Sequence, residues 1–371
     1  MRSSARSPSP ETNDAKTYVT SGPPRGADSD IPIGWTYNPS SWFERLWLVA
    51  VALVGFAVSG YLALYQLGYF SEVWEPFFGT GSADVLHSAL SRVLPIPDAA
   101  LGAAAYVADG ITGVIGARDR WRSMPWMVIL FGLAVGPLGL VSILLVIAQP
   151  VVLHAWCTLC LVSALISLIM IGPAMDEVLA SLQFLRRSHE RNLPLWKVFW
   201  HGAQEMYDIP NSSAPQIQRD HTYSRSVAGT SGSVAATSVR SEGHGVWTQL
   251  LVAAVGIGIM ALPDVMSYQG PERLNDQIVG PLIVSAAMIA AAETTRAVRW
   301  VNVVLGCWLV IAPVILQYEP LHIGVRSSVL GIVVAGLSWL SGRRTQELGG
   351  GWKRLWTSKS AQLRLRPDTP S

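Results

Sequence analysis

Eight apolar stretches, each long enough or nearly so to cross about 30 Å of hydrocarbon, occupy residues 46–68, 98–117, 124–148, 151–173, 247–268, 277–294, 301–318 and 325–341. Inside a bilayer the backbone must satisfy its own hydrogen bonds, and a stretch of this length does so as a helix. Composition agrees. Half of the 371 residues are hydrophobic and 14% are charged, where soluble domains run near a quarter charged. The 15 Trp and 33 Gly suit helices whose ends sit at membrane interfaces and whose faces touch closely. The expected fold is an all-α polytopic membrane protein. A net charge of +2 gives no case for nucleic-acid binding, and three cysteines exclude a secreted disulfide scaffold.

Charge placement sets an expected topology. If all eight stretches span, both chain ends, the turn at 118–122, the segment 176–246 and the turn at 296–299 share one side. That side holds 24 of the 27 basic residues, and the other holds only Arg92, Arg273 and Arg326. The positive-inside rule makes the rich side cytoplasmic, in a cell membrane crossed several times. Residues 1–35 lack the apolar core of a signal peptide and read as a disordered cytoplasmic tail, and 342–371 reads as a basic cytoplasmic tail. Residues 211–245, rich in Ser, Gly and Thr, read as a flexible linker. Before it, Val178, Leu179, Leu182 and Leu185 followed by Arg186, Arg187 and Arg191 predict a cytoplasmic amphipathic helix on the membrane surface. The linker divides the chain into two modules of four spans.

The second module repeats itself at a shift of about 50 residues. Gly256 matches Gly306, Pro263 matches Pro313, Tyr268 matches Tyr318 and, after one residue of slip, Gly280 matches Gly331. Each copy reads as a helix with an interior Gly and a Pro near its outer end, then a short loop and a second helix entering at a Gly. Over about 95 residues, 247–341, this half resembles the bacterial SPW-repeat membrane family. Of that family's Ser-Pro-Trp triplet, Leu262-Pro263-Asp264 and Ala312-Pro313-Val314 keep only the Pro. The resemblance brings no catalytic residue with it.

Chemistry concentrates at Trp156-Cys157-Thr158-Leu159-Cys160, near the outer end of the fourth stretch. The expectation places Cys157 about six residues inside that helix, roughly 9 Å below its end at 1.5 Å per residue. Two cysteines one helical turn apart can cycle between dithiol and disulfide, and a helix start lowers a thiol pKa. His154, three residues earlier, would share that face and could hold a positive charge beside the thiol. Other readings stand beside this one. Two membrane cysteines also serve as small apolar residues, and a metal site would have to recruit His154 and His87. Cys307 reads as a helix-packing residue.

Residues 46–175 resemble the vitamin K epoxide reductase family, a four-helix bundle around a quinone. The likeness rests on Val85-Leu86-His87-Ser88 closing the loop after the first span and on Pro97-Asp98-Ala99-Ala100-Leu101-Gly102 leading to Tyr106. It rests also on the fourth-span Trp156-Cys157-Thr158-Leu159-Cys160-Leu161-Val162-Ser163-Ala164. The resemblance implies a quinone-dependent thiol oxidoreductase using ubiquinone or menaquinone. In it Cys160 faces the quinone and Cys157 exchanges electrons with an extracytoplasmic thiol protein or small dithiol. Ser88 takes the loop-serine position, and Tyr106 joins it as a cofactor-binding candidate. His154 and the intramembrane Asp109 are supporting candidates, the latter costly unless it faces the bundle interior. The chain departs from the family at the loop 71–84, which lacks the two shuttle cysteines; Ser82 stands near the position of the second. Trp74, Phe77 and Phe78 in that loop read as an interfacial anchor or as a cap over the pocket. The alternative function is a degenerate, non-enzymatic bundle with a structural or sensory role.

Overall fold

A computed structural model describes residues 30–89, 91, 95–202, 246–319, 321–340 and 348–356. The proposed linker 211–245 and most of both tails lie outside the described residues. The molecule is an all-α membrane protein built from two four-helix modules. Helix α1 spans Trp42–Gln66, α2 Gly81–Leu86, α3 Asp98–Val114, α4 Arg120–Ser123, α5 Pro125–Ala148, α6 Thr158–Glu190 and α7 Leu195–His201. In the second module α8 spans Val246–Met266, α9 Pro271–Ala290, α10 Arg299–Ile315 and α11 Leu321–Trp339. A last short helix, α12, spans Lys353–Trp356. Among the described residues six helices are long and apolar enough to cross a membrane. The two expected spans that fall short are α3, with 17 residues, and α9, whose first turns carry Glu272, Arg273 and Asp276.

In the first module α1 packs along α3 and α6, and α5 packs along α6. Small residues set the closest approach. A Cβ on Gly55 of α1 would lie 2.6 Å from the Tyr106 ring of α3. In the second module the matched glycines of the repeat are the crossing points. A Cβ on Gly256 would sit 3.1 Å from the Gly280 carbonyl oxygen, and one on Gly306 would sit 2.7 Å from that of Gly331. The two helix pairs thus cross at equivalent positions, because only glycine leaves room for backbone against backbone. Val252, Ile259, Ile283, Leu309 and Val334 fill the space around these crossings.

Two sequence expectations need correction here. The fourth helix does not begin at 151. The third runs on through a π-turn, Gln149–Leu153, and breaks at His154, whose φ of 52° is left-handed; α6 then starts at Thr158. Apolar Val151, Val152, Leu153 and Ala155 hide this break from any hydropathy reading. Nor is there a separate surface helix after 176. The same helix continues to Glu190 and buries Glu177, Val178, Leu179 and Phe184. Residues 30–35 and 348–356, expected within tails, pack on it. Trp35 donates its indole N–H to Gln183 Oε1 at 3.0 Å, and Gln183 donates to the carbonyls of Leu348 and Gly351 at 2.9 and 3.1 Å. Under this cap Arg120 and Glu177 form a buried bidentate ion pair. Arg45 meanwhile donates to the carbonyls of Gly113, Ile115 and Gly116, each at 2.8 Å, at the end of α3. Those are the carbonyls a helix C-terminus leaves unpaired.

Candidate active site

Cys157 and Cys160 are joined in a disulfide, with Cα atoms 5.2 Å apart. Because α6 begins at Thr158, Cys157 is the residue capping its N-terminus, and its Sγ accepts the Cys160 backbone N–H at 3.2 Å. The sulfur therefore lies at the positive end of the helix rather than inside it, the position that most favours a thiolate. The backbone N–H of Cys157 is held by Gln149 Oε1 at 2.9 Å. The two sulfurs differ in their surroundings. Cys157 has no exposed surface, whereas Cys160 lies in the wall of a cavity of about 510 Å³.

That cavity lies between the four helices of the first module. Leu62, Leu101, Leu138, Val141, Leu145 and Val146 make its apolar wall. Small and polar side chains interrupt the wall: Ser59 of α1, Tyr106 of α3, Ser142 of α5, and Ser163 and Ser167 of α6. Tyr106 donates to the Ser163 carbonyl at 2.6 Å and lies 2.8 Å from Ser167 Oγ, so the phenol ties α3 to α6. At the CxxC end Gln66 donates to Asp98 Oδ1 at 2.7 Å and to Ser91 Oγ at 2.8 Å, closing that corner with polar groups.

Residues 71–87 cover Cys157. Val73, Ala83, Val85 and Leu86 pack in one apolar cluster with it, alongside Leu62 and Tyr65. One carboxylate latches the cover. Glu75 accepts the Thr158 backbone N–H at 2.9 Å, the Thr158 and Ser82 hydroxyls, and the Phe77 and Phe78 N–H groups at 3.2 and 3.3 Å. Burial alone would push this carboxyl up, but the hydrogen bonds from Ser82, Thr158 and Phe77 outweigh it and hold Glu75 below the usual carboxylate range. Ser82, at the expected shuttle-cysteine position, is fully buried as one of these donors.

The structure sets Cys160 and Tyr106 in the wall of one cavity, joins Cys157 to Cys160 outside that wall, and separates the other candidates. Ser88 lies outside the cavity wall, where its Oγ accepts the Ser91 N–H at 3.3 Å; Ser91 is the loop serine that lines the cavity. His154 is exposed in the chain break, its Nδ1 3.2 Å from the Pro150 carbonyl, so it does not share a helical face with Cys157. Asp109 is buried one turn beyond Tyr106 and does not line the cavity. Trp74 and Phe77 are exposed, and Phe78 packs on Trp156 with ring centroids 6.2 Å apart. Cys307 is exposed on α10. Sequence reasoning missed Glu75 and Gln149. Gln149 carried a signal, since it and Ser142 are the only polar side chains between 124 and 153, and a buried amide must find partners.

The comparisons with known proteins agree with this geometry. Residues 46–174 match the model of the Vitamin K epoxide reductase family, and residues 246–341 match that of the SPW repeat domain. The two matches follow one another along the chain, one in each four-helix module. Neither the curated proteins nor the solved structures contain a match to it. The reductase-family segment carries the disulfide and the cavity, which together indicate a membrane function of the thiol–disulfide oxidoreductase type. The SPW match begins with α8, runs two residues past the end of α11 and adds no cysteine pair.

Proposed function

We propose that the protein oxidises extracytoplasmic dithiols and delivers their electrons through Cys157 and Cys160 to a membrane quinone, ubiquinone or menaquinone. The observation that carries the reading is the asymmetry of the disulfide: one sulfur stands in the wall of a mostly apolar cavity and the other is turned away from it. About 510 Å³ lies within the ordinary range of small-molecule sites. The wall fits a quinone, with leucines and valines for the ring and tail and hydroxyls for its carbonyl oxygens. Gln149 spends its Oε1 on Cys157, which leaves its amide N–H groups as donors to the same space. When bound, the quinone supplies a two-electron, two-proton acceptor beside Cys160.

The thiol half of the cycle follows from the residues present. A donor thiolate attacks Cys157 Sγ, the Cys157–Cys160 bond breaks and Cys160 departs as a thiolate; the donor's second thiol then displaces Cys157. The donor leaves as a disulfide and the pair is left reduced. The helix start and the Cys160 N–H favour thiolate at Cys157, while the Glu75 carboxylate at Thr158 opposes it. Since Cys157 is fully covered, the 71–87 segment must move before a donor can reach it. With no cysteine in that segment, the donor acts directly. The extracytoplasmic placement rests on the distribution of basic residues.

The deciding experiment is a redox titration of the Cys157–Cys160 pair in liposomes loaded with quinone. Its dithiol fraction should follow the quinol-to-quinone ratio. Indifference to that ratio would leave the degenerate bundle as the better reading, and the missing shuttle cysteines are the observation that favours it.

A further inference from the structure

We infer that the SPW segment braces the redox loop, with Asp264 acting as a positioning residue for Cys157 through the indole of Trp156. Asp264 Oδ2 accepts the Trp156 Nε1–H at 2.7 Å across 108 positions of sequence. Trp156 is the residue before Cys157, and only 8% of it is exposed. Its other side is in use as well. The ring packs on Phe78, and a Cβ on Gly81 would overlap the Trp156 carbonyl oxygen. Trp156 is thus held between the cover of Cys157 and the other module.

Asp264 does not reach across as a loose side chain. Arg273 Nη2 pairs with its other oxygen at 3.2 Å, and Arg273 Nη1 donates to Gln269 Oε1 at 3.1 Å. Beneath this contact the modules pack directly. Met288 and Ile289 of α9 join Phe131, Val135, Leu168 and Ile171 of the bundle, and a Cβ on Gly172 would meet Ala292 at 2.6 Å. The brace has a rigid footing on both sides. Its consequence concerns the cover. Phe78 and Gly81 rest on Trp156, so a pinned indole gives the closed cover a fixed seat. A freed indole gives it a moving one, and Cys157 then spends more time uncovered.

The inference builds on Cys157 as the exchanging cysteine, but its test reads accessibility and involves no quinone, so each can fail alone. The full chain carrying Cys160→Ser and Cys307→Ser leaves Cys157 as the only thiol, and a bulky maleimide in detergent reports its exposure. Asp264→Leu and Trp156→Phe should each speed labelling several-fold, as loss of a hydrogen bond to a charged acceptor implies. Asp264→Asn, which keeps an acceptor oxygen, should label at the parental rate. The double variant Asp264→Leu/Trp156→Phe should be no faster than either single one, because both remove the same bond. Parental labelling in Asp264→Leu and Trp156→Phe would overturn the inference, as would equal acceleration in Asp264→Asn. If Asp264→Leu fails to fold, Trp156→Phe against Asp264→Asn decides the matter by the same readout, with thermal unfolding run on each.

Discussion

The two modules have the same number of helices and opposite interiors. In the reductase-family segment, four helices stand around a cavity whose wall is interrupted by Ser59, Ser142, Ser163 and Ser167. In the SPW segment, glycines bring backbones into contact and Val252, Ile283, Leu309 and Val334 fill what remains, all at most 1% exposed. Space is kept where small polar residues line facing helices and where a long side chain such as Tyr106 spans the gap. Space is lost where glycine faces glycine. The second module has polar ties of its own, Arg326 to Asp276 at 3.0 Å and Trp308 to Asn275 at 2.8 Å. In the first, helices that stand around a cavity make fewer side-chain contacts with one another, and polar ties join them as well. Tyr106 to Ser163, Arg45 on the end of α3 and the Arg120–Glu177 pair are such ties.

Four tests probe this contrast. The largest effect belongs to the cysteines: Cys157→Ser and Cys160→Ser should each reduce dithiol-dependent quinone reduction to background, because one sulfur cannot complete a disulfide cycle. Cys307→Ser, exposed in the other module, should keep the parental rate in the same liposome assay. Next comes the packed interior. Gly306→Ala should destabilise the protein by about 1–3 kcal/mol through overpacking, seen as a lower unfolding midpoint. Gly110→Ala, with nothing within 4 Å of the added carbon, should leave the midpoint unchanged.

The cavity should respond differently. Ala164→Leu adds volume at the cavity wall beside Cys160, so it should raise the KM for quinone several-fold while the unfolding midpoint holds or rises. A midpoint falling as far as that of Gly306→Ala would mean the first module is packed like the second. The smallest effect is the pH dependence of the cover. The folded Glu75 carboxyl titrates below its ordinary value, so its latch is complete above the ordinary carboxylate range and is lost as pH falls through the lower folded value. With Cys160 and Cys307 replaced by Ser, labelling of Cys157 by a pyridyl disulfide, which reacts in acid, should accelerate only below that ordinary range. Glu75→Ala should label fast throughout and show no such step.

Much of the architecture was legible in the chain. The apolar stretches located the helices of both modules, and the matched glycines 256/306 and 280/331 anticipated where the second module's helices cross. The Cys157–Cys160 pair and Tyr106 stood out because cysteine is rare here and because the resemblance marked them. The start of α6 was not legible. A break made of Leu153, His154, Ala155 and Trp156 has no Gly or charge to betray it, and its left-handed residue is a histidine.

The sequence by itself determined what short-range chemistry determines: apolar length, the spacing of two sulfurs, a glycine that admits a neighbouring backbone. Tertiary structure alone decided that Cys157 caps a helix instead of lying within one, that Glu75 closes the cover and that Asp264 reaches Trp156. Glu75 meets Thr158 across 83 positions, and Asp264 meets Trp156 across 108. In the chain Glu75 is one more loop charge and Asp264 one more charge near a helix end, each indistinguishable from a solvated one. A hydrogen bond depends on distance and direction between partners, and only packing sets those, within the first module for Glu75 and between the two modules for Asp264.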